Sequence, residues 1–263
     1  MLREIKVDSV SFRLNDEGTG PVILFVHGFP LNHTMWQAQI SEFSRTNRVL
    51  APDLRGFGGS GGALDSVSME QFADDLAAVL VAVGVEGPVT LCGLSMGGYA
   101  AWQFVQRHPA RVSKLIVCDT KAAADSPDAA ATRLKLAETV LIEGPEPVAR
   151  AMMPKLFGPK TAELNPQVVE SVRQMVITSS PAAIAGASRG MAARPDVTAW
   201  LPAIRVPTLV LCGEHDAITP AADMKTLAER IPHARFVVIP DAGHMAPMEQ
   251  PAVVNDAIRQ FLG

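Results

Sequence analysis

Cysteine is scarce, with three residues in 263, and neither a CxxC pair nor a Cys/His set at zinc-ligand spacing appears. Cys92, Cys118 and Cys212 each stand singly in an apolar run (VTLCGLS, LIVCDT, LVLCGE), so they read as buried thiols suited to a reducing, cytoplasmic compartment. There is no surplus of positive charge: 23 Lys and Arg against 27 Asp and Glu give a net charge of −4, which argues against a nucleic-acid partner. Long hydrophobic runs are missing too. The longest, LAAVLVAVGV near residue 80, falls short of the roughly 18 residues needed to span a bilayer. The opening MLREIKVDSVSF is charged and alternating, unlike a secretory leader. Internal repeats are absent. The glycine-rich GFGGSGG follows DLR in a loop instead of opening a helix, so it offers no phosphate cradle. A soluble protein with no cofactor, no metal and no membrane partner is expected. With 48% hydrophobic and 19% charged residues, it should bury a sizeable core.

What is present alternates. IKV and VSFRLN suggest an opening antiparallel pair. VILFVHG, RVLAPD, VTLCGLS and KLIVCD have the length and β-branched content of buried parallel strands. Between them lie the helical patterns HTMWQAQISEFS, SMEQFADDLAAVLVAVG and MGGYAAWQFVQRH, an order that implies a parallel sheet covered on both faces. Residues 122–197 break the order, with no strand-like run and four successive helical patterns, each opened by Ser-Pro, Pro or Asn-Pro. The chain therefore divides into a first core part (1–121), a helical cap insertion (122–197) and a second core part (198–263). In the last part PTLVLCGEHD and RFVVIPDAGH enclose the helix ADMKTLAERI, and PAVVNDAIRQFL closes the chain as an amphipathic helix.

The sharpest motif is Gly93-Leu94-Ser95-Met96-Gly97, followed by Gly98, standing after the strand VTLC and before a helix. That is the setting of a nucleophile elbow, where a strained serine lifts its hydroxyl above the sheet edge and glycines let strand and helix approach closely. A serine needs a base, and the base needs an orienting acid. His244, in the loop DAGHMAPMEQP after RFVVIP, can reach over the sheet edge. Asp216, in GEHDAITP after TLVLC, ends the neighbouring strand. Asp119, at the end of KLIVCD, is an alternative acid. Asp241, Glu214 and His215 read as loop and turn residues, and His108 and His233 as helix-end residues. His33 can line the pocket mouth, and His27 braces its loop. An oxyanion needs two backbone donors, for which Met96 N–H and Phe29 N–H, in His27-Gly28-Phe29-Pro30, are the choice.

HGFP, PDLRGFGGS, GLSMGG, GEHD and DAGH occur in this order, and with them the chain resembles the α/β-hydrolase superfamily over its whole length. The resemblance implies an eight-stranded, mostly parallel sheet with helices on both faces and a small helical cap. It also implies that Asp53 and Arg55 hold loops. In texture the chain is similar to the 3-oxoadipate enol-lactonases and related small esterases. Dehalogenase and epoxide-hydrolase chemistry need an aspartate where Ser95 stands, and epoxide hydrolases also need cap tyrosines, whereas Tyr99 is the only tyrosine. Hydrolysis of a small-molecule ester or lactone through an acyl-enzyme remains. An enol-lactone's carboxylate would need a cation, for which Arg133 and Arg189 are candidates. Two alternatives share the same triad: cofactor-free perhydrolysis or haloperoxidase-type activity, and a small-ligand signalling receptor.

Overall fold

A buried strand must pair its backbone N–H and C=O groups. In the computed structural model, which describes residues 1–263, the apolar runs do so in one sheet of eight strands. They are β1 Leu2–Val7, β2 Val10–Glu17, β3 Val22–Val26, β4 Arg48–Pro52, β5 Val89–Leu94, β6 Val112–Cys118, β7 Thr208–Gly213 and β8 Arg235–Ile239. Their spatial order is β1-β2-β4-β3-β5-β6-β7-β8. Only the β1–β2 and β2–β4 pairings are antiparallel. The mostly parallel sheet and its opening antiparallel pair are as the sequence implies. Every residue of β5 and β7 is buried. Because successive side chains point to opposite faces, helices must cover both faces of the sheet.

The helices are α1 Gln37–Phe43, α2 Met69–Ala82, α3 Met96–Arg107, α4 Pro127–Glu143, α5 Glu146–Leu156, α6 Thr161–Leu164, α7 Pro166–Thr178, α8 Pro181–Ala192, α9 Ala221–Glu229, α10 Ala246–Glu249 and α11 Pro251–Leu262. In α2 the buried Met69, Phe72, Ala73, Leu76, Val79 and Leu80 recur at helical spacing, and the Ser68 hydroxyl caps the Gln71 N–H. Proline stands in the first turn of α4, α7 and α8, and Ser126 and Ser180 cap α4 and α8. Two helices go beyond the sequence reading. Both α6 and α10 are four residues long, too short for hydrophobic periodicity to register. None of the helices is long and apolar enough to cross a membrane.

Five helices, α4–α8, lie between β6 and β7 with no strand among them. The parallel strands β3, β5, β7 and β8 end at the same edge of the sheet, so the loops after them share one region. β7 and β8 are neighbours, which sets the Asp216 loop beside the His244 loop.

Candidate active site

Ser95 follows β5 directly and adopts φ 53° and ψ −113°, a region that a non-glycine residue occupies only under strain. Its backbone is held on both sides: Ser95 N–H donates to Cys118 O at 3.0 Å, and Thr120 Oγ1 donates to Ser95 O at 2.8 Å. The two glycines of the motif are required by close approach. A Cβ at Gly93 would overlap the Gly97 carbonyl oxygen, and one at Gly97 would overlap that of Val26.

His244 is 4% and Asp216 5% exposed, and His244 Nδ1 lies 2.8 Å from Asp216 Oδ2. Asp216 Oδ1 also accepts from the N–H groups of Ile218 and Thr219 at 2.7 and 3.0 Å, and Oδ2 from the Thr219 hydroxyl. Burial alone would push this carboxyl up. The hydrogen bond from His244, the imidazole charge and the Thr219 donors outweigh it and hold the group well below the usual carboxylate range. An ionised Asp216 sets the tautomer of His244, with the proton on Nδ1 and Nε2 free to take another.

Ser95 and His244 line one cavity of about 450 Å³. Phe29 and Ile218 line it from the sheet side, and α4, α5 and α8 from the other, through Leu136, Met152 and Met191 among others. The Phe29 N–H takes part in no loop or cap hydrogen bond, and neither does that of Met96. No carboxylate lines the cavity, but two cations do, Arg133 and Lys155. Arg133 Nε lies 2.5 Å from Asp125, whose other oxygen is 2.9 Å from Arg194. One carboxylate thus serves two guanidiniums. Lys155 is exposed and enters no salt bridge.

The other residues singled out from the sequence lie elsewhere. Arg189 donates to the carbonyl and carboxylate oxygens of Asp65, at 2.8 and 2.5 Å, outside this cavity. His33 lines a separate, polar cavity of about 350 Å³, and its Nδ1 is 2.7 Å from Asp53. Asp53 also accepts from the N–H groups of His33 and Gly59, and Arg55 pairs with Asp75, so both residues tie loops together. His27 is fully buried between Gly28 O and the Leu54 N–H, each 2.9 Å away, and burial lowers its pKa, as befits a neutral brace. Asp119 is fully buried, accepts only from the Gly213 N–H, and makes no hydrogen bond with His244.

Asp119, Cys212 and Asp216 bring three possible ligand atoms within 4.8 Å of one another. The donor chemistry does not suit a metal. Burial raises the Cys212 thiol far above its ordinary range, its Sγ–H donates to Gly213 and Thr219 carbonyls, and Asp216 already accepts four hydrogen bonds. What sequence reasoning missed is Lys155. In PEPVARAMMPKLFG it looks like any solvated helix lysine, and only the packing of α5 against α4 and α7 turns it to the cavity.

Residues 21–251 match the alpha/beta hydrolase fold family. The chain is 30% identical over 242 residues to 3-oxoadipate enol-lactonase 2 of Acinetobacter baylyi, covering 92% of this chain and 88% of that one. It is similar in structure to a thermophilic esterase from Thermogutta terrifontis solved with malate bound, with a TM-score of 0.97, 46% identity, and 100% and 98% of the two chains covered. The enol-lactonase of Burkholderia xenovorans LB400 gives a TM-score of 0.92 at 27% identity over 99% of each chain. Sheet order, strained serine turn and family match agree, and the chain belongs to the α/β hydrolase fold family.

Proposed function

We propose that this protein is a carboxylic ester hydrolase in which Ser95 is the nucleophile, His244 the general base and Asp216 its orienting acid. The observation that carries the reading is a strained serine and a buried, Asp-backed histidine on the wall of a single cavity. As Ser95 Oγ attacks the ester carbon, its proton passes to His244 Nε2, and the imidazolium is stabilised by Asp216. The carbonyl oxygen becomes an oxyanion facing the N–H groups of Met96 and Phe29. Collapse expels the alcohol, which takes the proton from Nε2 and leaves an acyl group on Ser95. Water, deprotonated by His244, repeats the sequence and releases the acid. Residues 122–197 act as a cap that encloses the acyl chain in apolar side chains such as Leu136, Met152 and Met191.

The finer reading is a substrate that carries its own carboxylate, of the kind a 3-oxoadipate enol-lactone presents. Its support is a cavity with two cations and no acid, together with the relatives named for enol-lactone hydrolysis. Replacing Ser95 tests the coarser reading. Ser95→Ala is expected to lower kcat on p-nitrophenyl acetate by about 10³-fold or more, and a fluorophosphonate should label the wild-type chain at Ser95. Full activity in the variant, or labelling elsewhere, would remove Ser95 as the nucleophile.

A further inference from the structure

Glu249 is 3% exposed and lies five residues beyond His244, at the end of α10. Its two carboxylate oxygens serve different parts of the chain. Oε1 accepts from the N–H of Gly243 at 2.8 Å and of Met245 at 3.2 Å, the residues on either side of His244. Oε2 accepts from the N–H of Gly158, between α5 and α6, at 2.7 Å and from Oγ1 of Thr161, the first residue of α6, at 2.5 Å. The two backbones also touch: a Cβ on Gly243 would run into Phe157 and Gly158, and one on Gly158 into Asp241 O. Met245 N–H is shared with Leu156 O at 3.2 Å, the last residue of α5.

We infer that Glu249 is a positioning residue for His244, fixing the height of the base loop and joining it to the helices that close the cavity. Asp216 determines how the imidazole is turned, because it holds the ring at Nδ1. It does not determine where the backbone at 244 sits. That is the work of Glu249, whose single oxygen spans the two neighbouring amides. All four partners of the carboxylate are donors, so an ionised side chain satisfies every one of them and an amide cannot. Misplacing a catalytic group by about 1 Å can cost 10²-fold in rate. Loss of this anchor should therefore appear in the proton-transfer step and leave substrate binding nearly untouched.

This inference rests on His244 acting as the base for Ser95. The test measures the rate constant of Ser95 labelling by a fluorophosphonate, alongside kcat and KM for p-nitrophenyl acetate. Glu249→Leu, which removes both oxygens, is expected to lower the labelling rate constant and kcat together, by tenfold or more, with KM within about threefold. A merely structural role would reduce the amount of labelled protein and its Tm but leave the rate constant of the folded fraction unchanged, and that outcome overturns the assignment. Thr161→Val removes one donor on the helical side and leaves Oε1 as it is, so it should keep kcat within about threefold. A loss as large as that of Glu249→Leu would put the effect in the helices, not the base loop. Should the Leu variant fail to fold, Glu249→Asp keeps the charge but is too short to span both sets of donors, and it carries the same expected losses. Wild-type protein that resists labelling at Ser95 counts against the proposed function itself. Normal wild-type labelling with an unaltered rate in the Glu249 variants counts against this inference alone.

Discussion

Two aspartates end neighbouring strands at the same sheet edge, and their surroundings give them opposite character. Asp216 accepts four hydrogen bonds and is held ionised, whereas Asp119 accepts one, from Gly213, and leaves Oδ2 without a partner. Burial, then the charge of Asp216 beside it, pushes the Asp119 carboxyl well above the ordinary range. A group whose folded pKa exceeds its unfolded value stabilises the fold while it is protonated, and that contribution fades as pH rises through the folded value. Asp119→Asn keeps the acceptor for Gly213 N–H and cannot ionise. It is expected to raise Tm by about 2–4 °C at pH 8 and by much less near pH 4. An equal shift at both pH values would mean that the site does not raise the Asp119 pKa. In sequence the two residues look alike, each an aspartate closing an apolar run. Position along a strand is legible there, but the number of donors that fold back upon a side chain is not.

The turn from β5 into α3 is the element on which the site depends, and Gly97 in it is set by contact with the backbone at the end of β3. Alanine in place of a helical glycine normally adds about 1 kcal/mol of stability. At position 97 the added methyl would meet the carbonyl oxygens of Val26 and His27, which belong to a buried strand and its exit loop and cannot yield. Overpacking of this kind costs about 1–3 kcal/mol, so the clash outweighs the helix preference. Gly97→Ala should therefore lower the unfolding free energy, read by urea denaturation, and lower kcat by displacing Ser95. A variant at least as stable as wild type would contradict the close approach. This element was readable in advance because strand, serine and glycines are consecutive. α6 and α10 were not, since a single helical turn leaves no period, and both matter: Thr161 and Glu249 lie in them.

At the scale of the molecule, a chain with net charge −4 keeps a cavity lined by two cations and no acid, so the attraction it would exert on the carboxylate substrate proposed above is local and not a property of the whole surface. A charge-assisted hydrogen bond is worth about 1.5–3 kcal/mol, which makes its loss roughly a tenfold effect or more. Lys155→Ala is expected to lower kcat/KM for an ester with a terminal carboxylate about tenfold while changing a neutral ester of equal size by less than threefold. A uniform loss on both esters would detach Lys155 from substrate recognition. The sequence by itself determined the strands, the serine turn, the helical stretch between β6 and β7, and the order of Ser95, Asp216 and His244, because each is written in neighbouring residues or in a short period. It also nominated Arg133, Arg189 and His33 as substrate contacts, and of these only Arg133 lines the cavity shared by Ser95 and His244. The sequence favoured Asp216 over Asp119 as the partner of the imidazole, whereas the part of Lys155 in the cavity lining and of Glu249 in the base loop was decided by tertiary structure alone. Those properties belong to distances between residues far apart in the chain, and such distances exist only once the sheet has brought the strand ends together and the helices have closed over them.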